Sequence, residues 1–173
     1  MIFPVSLKGA RKPVISDGYH WRGDKLHAAV DIMYRRQDGE FGIMPWASQN
    51  YIMFPSTAAV APMDGEVVRA EMISTGGHVH IVNGTTGFKF MHLTNLKVKL
   101  GQKVKAGDVI GSIGDNPKDS GDPAHLHFEI EKNGDKVDPE PYLKDATYVS
   151  RSVGLGLLEF VLISAVLWYV TKG

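Results

Sequence analysis

The sequence predicts a mainly β domain, built as a small antiparallel β-sheet or sandwich, followed by a C-terminal transmembrane α-helix. Three observations predict this class: 19 glycines and 9 prolines among 173 residues, short alternating segments separated by turn dipeptides, and one long apolar run near the C-terminus. We expect the β domain to span residues 1–150 and the anchor to lie within residues 151–173. A domain of about 150 residues buries roughly 68–70% of its unfolded surface, which is enough for a stable core.

Turn dipeptides divide the predicted strands. Asn83-Gly84 lies in the middle of residues 78–92, whose alternating pattern predicts a hairpin. A strand is predicted at His125–Glu131, and the turn Asn133-Gly134 follows it. A Pro-Met-Asp-Gly turn between the β-rich parts of residues 59–71 predicts a further hairpin.

One long segment of the predicted domain lacks regular periodicity. The residues from Met33 to Thr57 match neither the helical nor the strand period. Irregular segments of this length are uncommon in compact domains and are often functional. Its aromatic side chains indicate that it packs against the domain or lines a groove.

The charge balance and the lack of cysteine exclude several classes of function. Lys and Arg number 19, Asp and Glu also number 19, and the formal net charge is +0. Nucleic-acid-binding proteins rely on clustered positive charge, so we expect no nucleic-acid partner. The chain has no cysteine, which excludes disulfides, cysteine-ligated zinc and thiol nucleophiles.

The apolar run from Val153 to Val170 contains a single charged residue, Glu159. As a helix it would rise roughly 27 Å, close to the hydrocarbon thickness of about 30 Å. Trp168 and Tyr169 lie near one end, where aromatic rings favour the membrane interface. A buried core helix is the alternative, but such helices usually keep a polar face. We therefore expect residues 153–170 to contact a lipid bilayer, with Glu159 facing the head groups or a partner helix.

Two short histidine motifs suggest a metal site. His27 and Asp31 are four residues apart, which places them on one face of either a helix or a strand. His125 and His127 are two apart, which places them on one face of a strand. Two imidazoles and one carboxylate are enough to hold a catalytic zinc ion with an open fourth position. Such an ion lowers the pKa of its bound water and polarises a scissile carbonyl. Each motif alone is weak, because residues 78–80 repeat the His-x-His spacing.

The ordered set of motifs resembles the lysostaphin/LytM-type zinc endopeptidases, which cut peptides of bacterial peptidoglycan. The resemblance covers roughly residues 18–143. The matching pieces occur in the family's order: Arg22 with His27-Ala-Ala-Val-Asp31, Ala61-Pro-Met-Asp-Gly-Glu-Val-Val68, Gly76-Gly-His-Val-His-Ile-Val82, Met91-His-Leu93, the segment 98–111, His125-Leu-His-Phe-Glu-Ile130 and Val137-Asp-Pro139.

The resemblance implies a role for each of five residues. It implies that His27, Asp31 and His127 are the ligands of one zinc ion. His92 and His125 fall at the positions of the family's two catalytic histidines, which polarise the attacking water and stabilise the oxyanion. These roles agree with the need for a proton acceptor and for oxyanion donors in amide hydrolysis.

The sequence departs from the family pattern at three places. Ala29 stands where the family commonly has glycine, and the residues 121–125 differ from the usual Thr-Gly-Pro-His. The segment 33–57 is an insertion, which we expect to form a wall or lid of the cleft and to affect specificity. His20 matches no catalytic position of the family, although it is close enough to His27 in sequence to reach the cleft, and we expect the two histidines in 78–80 to be ordinary strand residues.

The function expected from these observations is a membrane-tethered, zinc-dependent endopeptidase acting on peptidoglycan. The N-terminus shows no secretory signal, which favours a single-pass protein in the virion of a membrane-containing phage, where it would assist cell-wall penetration. A bacterial envelope protein is the alternative location. A non-catalytic scaffold or binding module is the alternative function. Residues 104–114 also resemble a biotinyl or lipoyl carrier, but Lys103 and Lys105 lack the neighbouring methionine that such domains need.

Overall fold

The structure is a computed structural model, and it describes residues 1–40, 47–114 and 123–152. Strands dominate these residues, and the only helix among them has four residues. The elements are β1 (Pro13–Asp17), β2 (His20–Arg22), β3 (Lys25–His27), β4 (Val30–Arg35), β5 (Tyr51–Ile52), β6 (Ala58–Val60), β7 (Gly65–Ile73), β8 (Gly76–Asn83), β9 (Thr86–Thr94), β10 (Lys103–Val104), β11 (Val109–Ile113), β12 (Leu126–Lys132), β13 (Asp135–Val137) and α1 (Glu140–Leu143).

The strands form one large antiparallel sheet and one separate hairpin. The order along the large sheet is β1-β4-β12-β9-β8-β7-β10. In addition, β5 pairs with β4, and β13 pairs with β12. β11 pairs with both β6 and β9, and β2 and β3 form the separate hairpin. The predicted mainly β, antiparallel class is therefore confirmed.

Two of the three predicted hairpins form as expected. Residues 78–92 form the hairpin β8–β9, and the strand predicted at His125–Glu131 is β12, followed by β13. The hairpin predicted within residues 59–71 is wrong, because β6 pairs with β11 and β7 pairs with β8. The Asp64 turn instead bonds to a distant loop, since its Oδ1 accepts the amide of Ala106 at 2.9 Å.

The alternation of β12 separates the core from the cleft. Its residues Leu126, Phe128 and Ile130 are fully buried, and the Phe128 ring packs against the rings of two phenylalanines of β9. The intervening residues His127 and Glu129 project from the other face of the sheet. Apolar packing on one face thus fixes the position of the polar groups on the other.

The predicted membrane anchor at residues 153–170 lies outside the described residues. Across the described residues, no helix has the length and apolar character needed to cross a bilayer. The predicted boundary between a domain of residues 1–150 and an anchor of residues 151–173 stays a prediction.

Candidate active site

Asp31 and His127 face each other on neighbouring strands. β4 and β12 are antiparallel, and their register makes the two residues Cα partners. Partnered residues project from the same face of a sheet. Oδ1 of Asp31 lies 3.0 Å from Nδ1 of His127. Sheet pairing therefore joins two predicted ligands that are 96 positions apart in sequence.

His27 completes the predicted ligand set from the end of β3. Its Nε2 lies 3.3 Å from Oδ1 of Asp31 and 3.4 Å from Nδ1 of His127. The three atoms all lie within 4.8 Å of one another. Ala29, which replaces the family's glycine, is fully buried without a positive φ, so the backbone here accepts a side chain.

The outer nitrogen of each ligand imidazole has an acceptor that sets the tautomer. Nδ1 of His27 donates to the carbonyl oxygen of Gly18 at 2.7 Å. Nε2 of His127 faces Oε1 of Glu129 at 3.4 Å. Because a carbonyl or carboxylate oxygen only accepts, the neutral rings carry their protons on these outer nitrogens. Their lone pairs then lie on the inner nitrogens, which face Asp31.

This arrangement fits a divalent metal ion. Three lone-pair atoms that are 3.0–3.4 Å apart repel one another unless a cation lies between them. A tetrahedral zinc ion with ligands at about 2.0–2.1 Å holds them about 3.3–3.4 Å apart. Two of the observed separations have this value, and the third, between Asp31 and His127, is shorter at 3.0 Å. A proton relieves one contact only, whereas a metal ion relieves all three. His27, Asp31 and His127 are therefore suited to hold zinc.

The charges at this point favour a cation. Burial opposes ionisation of Asp31, but in the metal-free protein a hydrogen bond from His127 carrying a proton on Nδ1, together with the nearby imidazoles, holds the pKa of this carboxyl well below its ordinary value. Burial also lowers the pKa of His127, yet the carboxylates of Asp31 and Glu129 raise it overall. The negative field that favours a proton on His127 favours a metal ion in the same place.

Arg22 holds the second oxygen of Asp31. Its Nη2 donates to Oδ2 of Asp31 at 3.0 Å and also pairs with Asp17. Oδ1 of Asp31 is thereby left to face His27 and His127. This geometry favours a carboxylate that binds a metal through one oxygen.

His125 immediately precedes β12. Its Nδ1 donates to the carbonyl oxygen of Pro123 at 2.8 Å. Its Nε2 lies 3.6 Å from Oδ1 of Asp31. The ring is thus fixed beside His27, Asp31 and His127, which we call the ligand cluster, and its Nε2 faces Asp31.

A β-bulge directs the side chain of His92 towards the ligand cluster. The pairing of β8 with β9 shifts register between Gly77 and Val79, and His92 adopts a φ of 62°. A left-handed conformation costs a non-glycine residue about 1–2 kcal/mol. Nδ1 of His92 donates to the carbonyl oxygen of Thr75 at 3.0 Å, and the His92 ring lies edge-on to that of His125 with centroids 4.8 Å apart. Bulges often redirect side chains next to active sites.

The His92 ring is neutral over the usual range of pH. Burial lowers its pKa to about 4, and the neighbouring imidazoles act in the same direction. With Nδ1 occupied by Thr75, the lone pair lies on Nε2. His92 therefore presents a proton acceptor to the ligand cluster.

All five predicted site residues line one cleft of about 710 Å³. Ser48 and Tyr51, from the segment predicted to be an insertion, also line it. Part of that segment is regular structure, because β4 continues to Arg35 and pairs with β5. Residues 41–46 and the loop residues 115–122 lie outside the described residues.

The remaining histidines do not line this cleft. Nδ1 of His20 lies 2.9 Å from the Gly18 carbonyl oxygen, which is also the acceptor for His27. Asp17, His20 and His27 form a second group of potential ligands, but the carbonyl oxygen of Gly18 already engages both imidazoles and Arg22 pairs with Asp17. His20 is therefore close to His27 but is not among the residues that line the cleft.

His78 and His80 lie on β8. Nε2 of His78 is 3.2 Å from the hydroxyl of Thr75, and Nε2 of His80 is 3.5 Å from Oε2 of Glu131. Burial lowers the pKa of both histidines. These positions are compatible with ordinary strand residues.

Sequence reasoning missed Glu129 and Lys136. Glu129 is 3% exposed and contacts both His127 and Lys136, and both residues line the cleft. The signal for Glu129 was available, since it lies two residues beyond His127 and so projects from the same face of the strand. Lys136 comes from β13, and no local pattern predicts its reach to Glu129.

Comparisons with known proteins agree with this arrangement. The chain is 34% identical over 111 residues to the glycyl-glycine endopeptidase ALE-1 of Staphylococcus capitis, covering 60% of the chain and 30% of that protein. It is 39% identical over 83 residues to stage II sporulation protein Q of Bacillus subtilis, covering 46% and 29%. It thus spans about three tenths of the length of these curated relatives.

A solved structure shares the fold. The catalytic domain of lysostaphin from Staphylococcus simulans matches with a TM-score of 0.55 and 24% identity, over 79% of the chain and 95% of that domain. The sequence profile described as "Peptidase family M23" matches residues 46–139, more than half of the chain. The expected likeness to the lysostaphin-type enzymes is thereby confirmed, and the chain belongs to peptidase family M23.

Proposed function

We propose that this chain is a zinc-dependent endopeptidase that hydrolyses peptide bonds in bacterial peptidoglycan. The observation that carries the proposal is the convergence of His27 Nε2, Asp31 Oδ1 and His127 Nδ1 at 3.0–3.4 Å, with tautomers that turn the imidazole lone pairs inwards. The peptidoglycan substrate is supported by the likeness to a named glycyl-glycine endopeptidase.

The mechanism divides the work between two groups of residues. His27, Asp31 and His127 would hold the zinc ion, which supplies Lewis-acid activation of water and of the scissile carbonyl. His92 and His125 stand beside this cluster, each held through Nδ1 by a backbone carbonyl. One imidazole accepts the proton of the attacking water at Nε2, and the other, when it carries a proton on both nitrogens, donates a hydrogen bond from Nε2 to the developing oxyanion. Transfer of the accepted proton to the leaving amine completes amide cleavage without a covalent enzyme intermediate.

The experiment is digestion of purified peptidoglycan by the full chain in detergent, with the released fragments identified by mass spectrometry. We expect turnover to stop on chelation, to return when zinc is added, and to be absent in Asp31→Asn. Glu131→Gln is the matched control, because Glu131 lies on the neighbouring strand β12 and pairs with Lys89 instead of His27, Asp31 and His127. Equal turnover before and after complete metal removal would refute the proposal.

A non-catalytic binding module is the second candidate. It is favoured by the likeness to stage II sporulation protein Q, a relative named for sporulation and not for a peptidase activity. This candidate predicts that the zinc-loaded chain retains peptidoglycan without releasing fragments. The same digestion experiment therefore separates the two functions.

We also propose that residues 153–170 tether the domain to a bilayer, in the virion of a membrane-containing phage or, alternatively, in a bacterial envelope. The apolar character of the run, interrupted only by Glu159, supports the tether. Resistance of the full chain to carbonate extraction from membranes is the expected result. Release into the soluble fraction would exclude the tether and leave the hydrolase proposal unaffected.

A further inference from the structure

The last described residues are held firmly against the start of the chain. The amide of Leu7 donates to the carbonyl oxygen of Val149 at 2.8 Å. The hydroxyl of Ser6 donates to the carbonyl oxygen of Arg151 at 3.1 Å. The described chain is therefore bonded to the domain almost up to residue 153, where the apolar run of the sequence begins.

Cations and aromatic rings surround this point. Nζ of Lys8 lies 5.5 Å from the ring centre of Phe54, and the guanidinium carbon of Arg11 lies 5.2 Å from the same centre. Nζ of Lys12 lies 5.2 Å from the ring centre of Tyr148. We call this region the exit surface, and it consists of Lys8, Arg11, Lys12, Phe54, Tyr148 and Arg151.

The exit surface carries an excess of positive charge. Arg11 pairs with Glu40 at 2.7 Å. In the parts of the chain that the structure describes, no carboxylate forms an ion pair with Lys8, Lys12 or Arg151. Lys8, Lys12 and Arg151 are also solvent-exposed. Lys8 and Lys12 thus add exposed positive charge on either side of Arg11 in sequence, and the Arg151 guanidinium adds a further cation while donating to the carbonyl oxygen of Gly107 at 3.1 Å.

We propose that the exit surface docks on the anionic head groups of the bilayer that residues 153–170 enter. The inference rests on the proposed tether, because a run that enters a bilayer directly after residue 152 brings the surrounding surface to the head groups. Basic residues beside a membrane span are attracted to anionic lipid, and aromatic rings favour the same interfacial depth. The adjacent apolar run favours a membrane over an acidic protein or polymer as the partner.

Docking also limits the distance of the cleft from the membrane. β1 begins next to Lys12 and ends at Asp17, which lines the cleft. Five extended residues span about 17 Å at about 3.4 Å per residue. The part of the cleft at Asp17 would therefore lie no farther than about 17 Å from the start of β1.

The absence of cysteine allows a direct test with the full chain in lipid nanodiscs. A dye placed on Ala10→Cys, in the exposed turn between Lys8 and Arg11, reports quenching by nitroxide-labelled head groups. We expect stronger quenching in discs containing phosphatidylglycerol than in phosphatidylcholine discs, and we expect salt to weaken it. A dye on Thr85→Cys, in the exposed turn between β8 and β9, should show no such difference.

Charge variants make the test specific. Lys8→Gln with Lys12→Gln should lower the ratio of docked to undocked chains roughly 30-fold at low salt, from about 1 kcal/mol per cation. Lys97→Gln with Lys99→Gln is the matched control, since both lysines are exposed and neither belongs to the exit surface.

Two outcomes would overturn docking. Equal quenching in the two lipids, or an unchanged ratio in the Lys8 and Lys12 variant, would show that the cations serve another partner. A chain that does not co-elute with the discs would remove the tether and the docking together. Peptidoglycan digestion in detergent is measured independently and would be unaffected by either outcome.

Discussion

Lys136 and Glu129 form an ion pair at the edge of the candidate site, with Nζ 2.7 Å from Oε1. The same Oε1 lies 3.4 Å from Nε2 of His127. The second carboxylate oxygen, Oε2, is buried without a hydrogen-bond partner among the described residues. Glu129 thus links a cleft lysine to the outer nitrogen of a candidate metal ligand, which orients that ring and increases its basicity.

Replacing Glu129 by glutamine should weaken zinc binding. The amide oxygen still accepts from His127, but the negative charge that makes the imidazole more basic is lost. We expect zinc affinity to fall about 10-fold or more, measured by competition with a chromogenic chelator. Glu131→Gln, on the same strand, should leave the affinity unchanged, and equal affinities for the two variants would contradict this role of Glu129.

His92→Ala should separate catalysis from metal binding. His92 contributes no atom to the candidate ligand set, yet its ring lies beside those of His125 and His127. We expect kcat to fall by about 10²–10⁴, the usual contribution of a general acid or base, with zinc affinity preserved. His78→Ala should retain activity, and a parallel loss of zinc in His92→Ala would assign His92 to metal binding instead.

Burial of His92 should make the metal-free protein less stable in mild acid. Its folded pKa of about 4 is below the ordinary value of 6.5, so the unfolded chain binds the proton more readily between these values. The stability contributed by the neutral ring is complete above about pH 6.5 and is lost as the pH falls towards 4. Between pH 7.5 and 5.0 we expect its share of the loss in unfolding free energy to be about 1–2 kcal/mol.

Urea unfolding in chelator at the two pH values measures this loss. His92→Gln is the comparison, because it removes the titrating group at the same position. The variant should lose less stability than the parent protein on acidification. An identical loss in both proteins would show that His92 does not contribute to the pH dependence.

Tyr51→Ala should weaken substrate binding more than it slows the chemistry. Tyr51 lines the cleft, and the guanidinium carbon of Arg35 lies 5.8 Å from its ring centre. Loss of one aromatic contact of about 1–1.5 kcal/mol corresponds to roughly a tenfold rise in KM, with kcat little changed. Tyr142→Ala is the control, since Tyr142 is exposed outside the cleft, and matching kinetics for the two variants would exclude Tyr51 from substrate binding.

Local sequence patterns predicted strand pairing correctly where the two strands are adjacent in the chain. Asn83-Gly84 predicted the β8–β9 hairpin because the turn and both strands are contiguous. The pairing of β6 with β11 was missed because it joins segments about 50 residues apart, and Asp64 bonds to the backbone of Ala106. A turn dipeptide contains no information about a contact between such distant segments.

In the candidate site, too, some features could be predicted from the sequence and others could not. The ligand set was implied by a resemblance, and the structure brings His27, Asp31 and His127 to one point. The bulge that redirects His92 could not be predicted, since it arises from a register shift between two strands. The reach of Lys136 to Glu129 likewise depends on how β13 folds back on β12.

The pairing of Asp31 with His127 on adjacent strands has a consequence for assembly. Both side chains stand on backbone that the main-chain ladder of β4 and β12 holds in register, and buried apolar residues lie on either side of each in sequence. The two ligands are thus positioned by the same bonds that hold the sheet together, before any ion arrives. Loading with metal should then be a late and reversible event, in which a finished protein can be emptied and refilled without refolding.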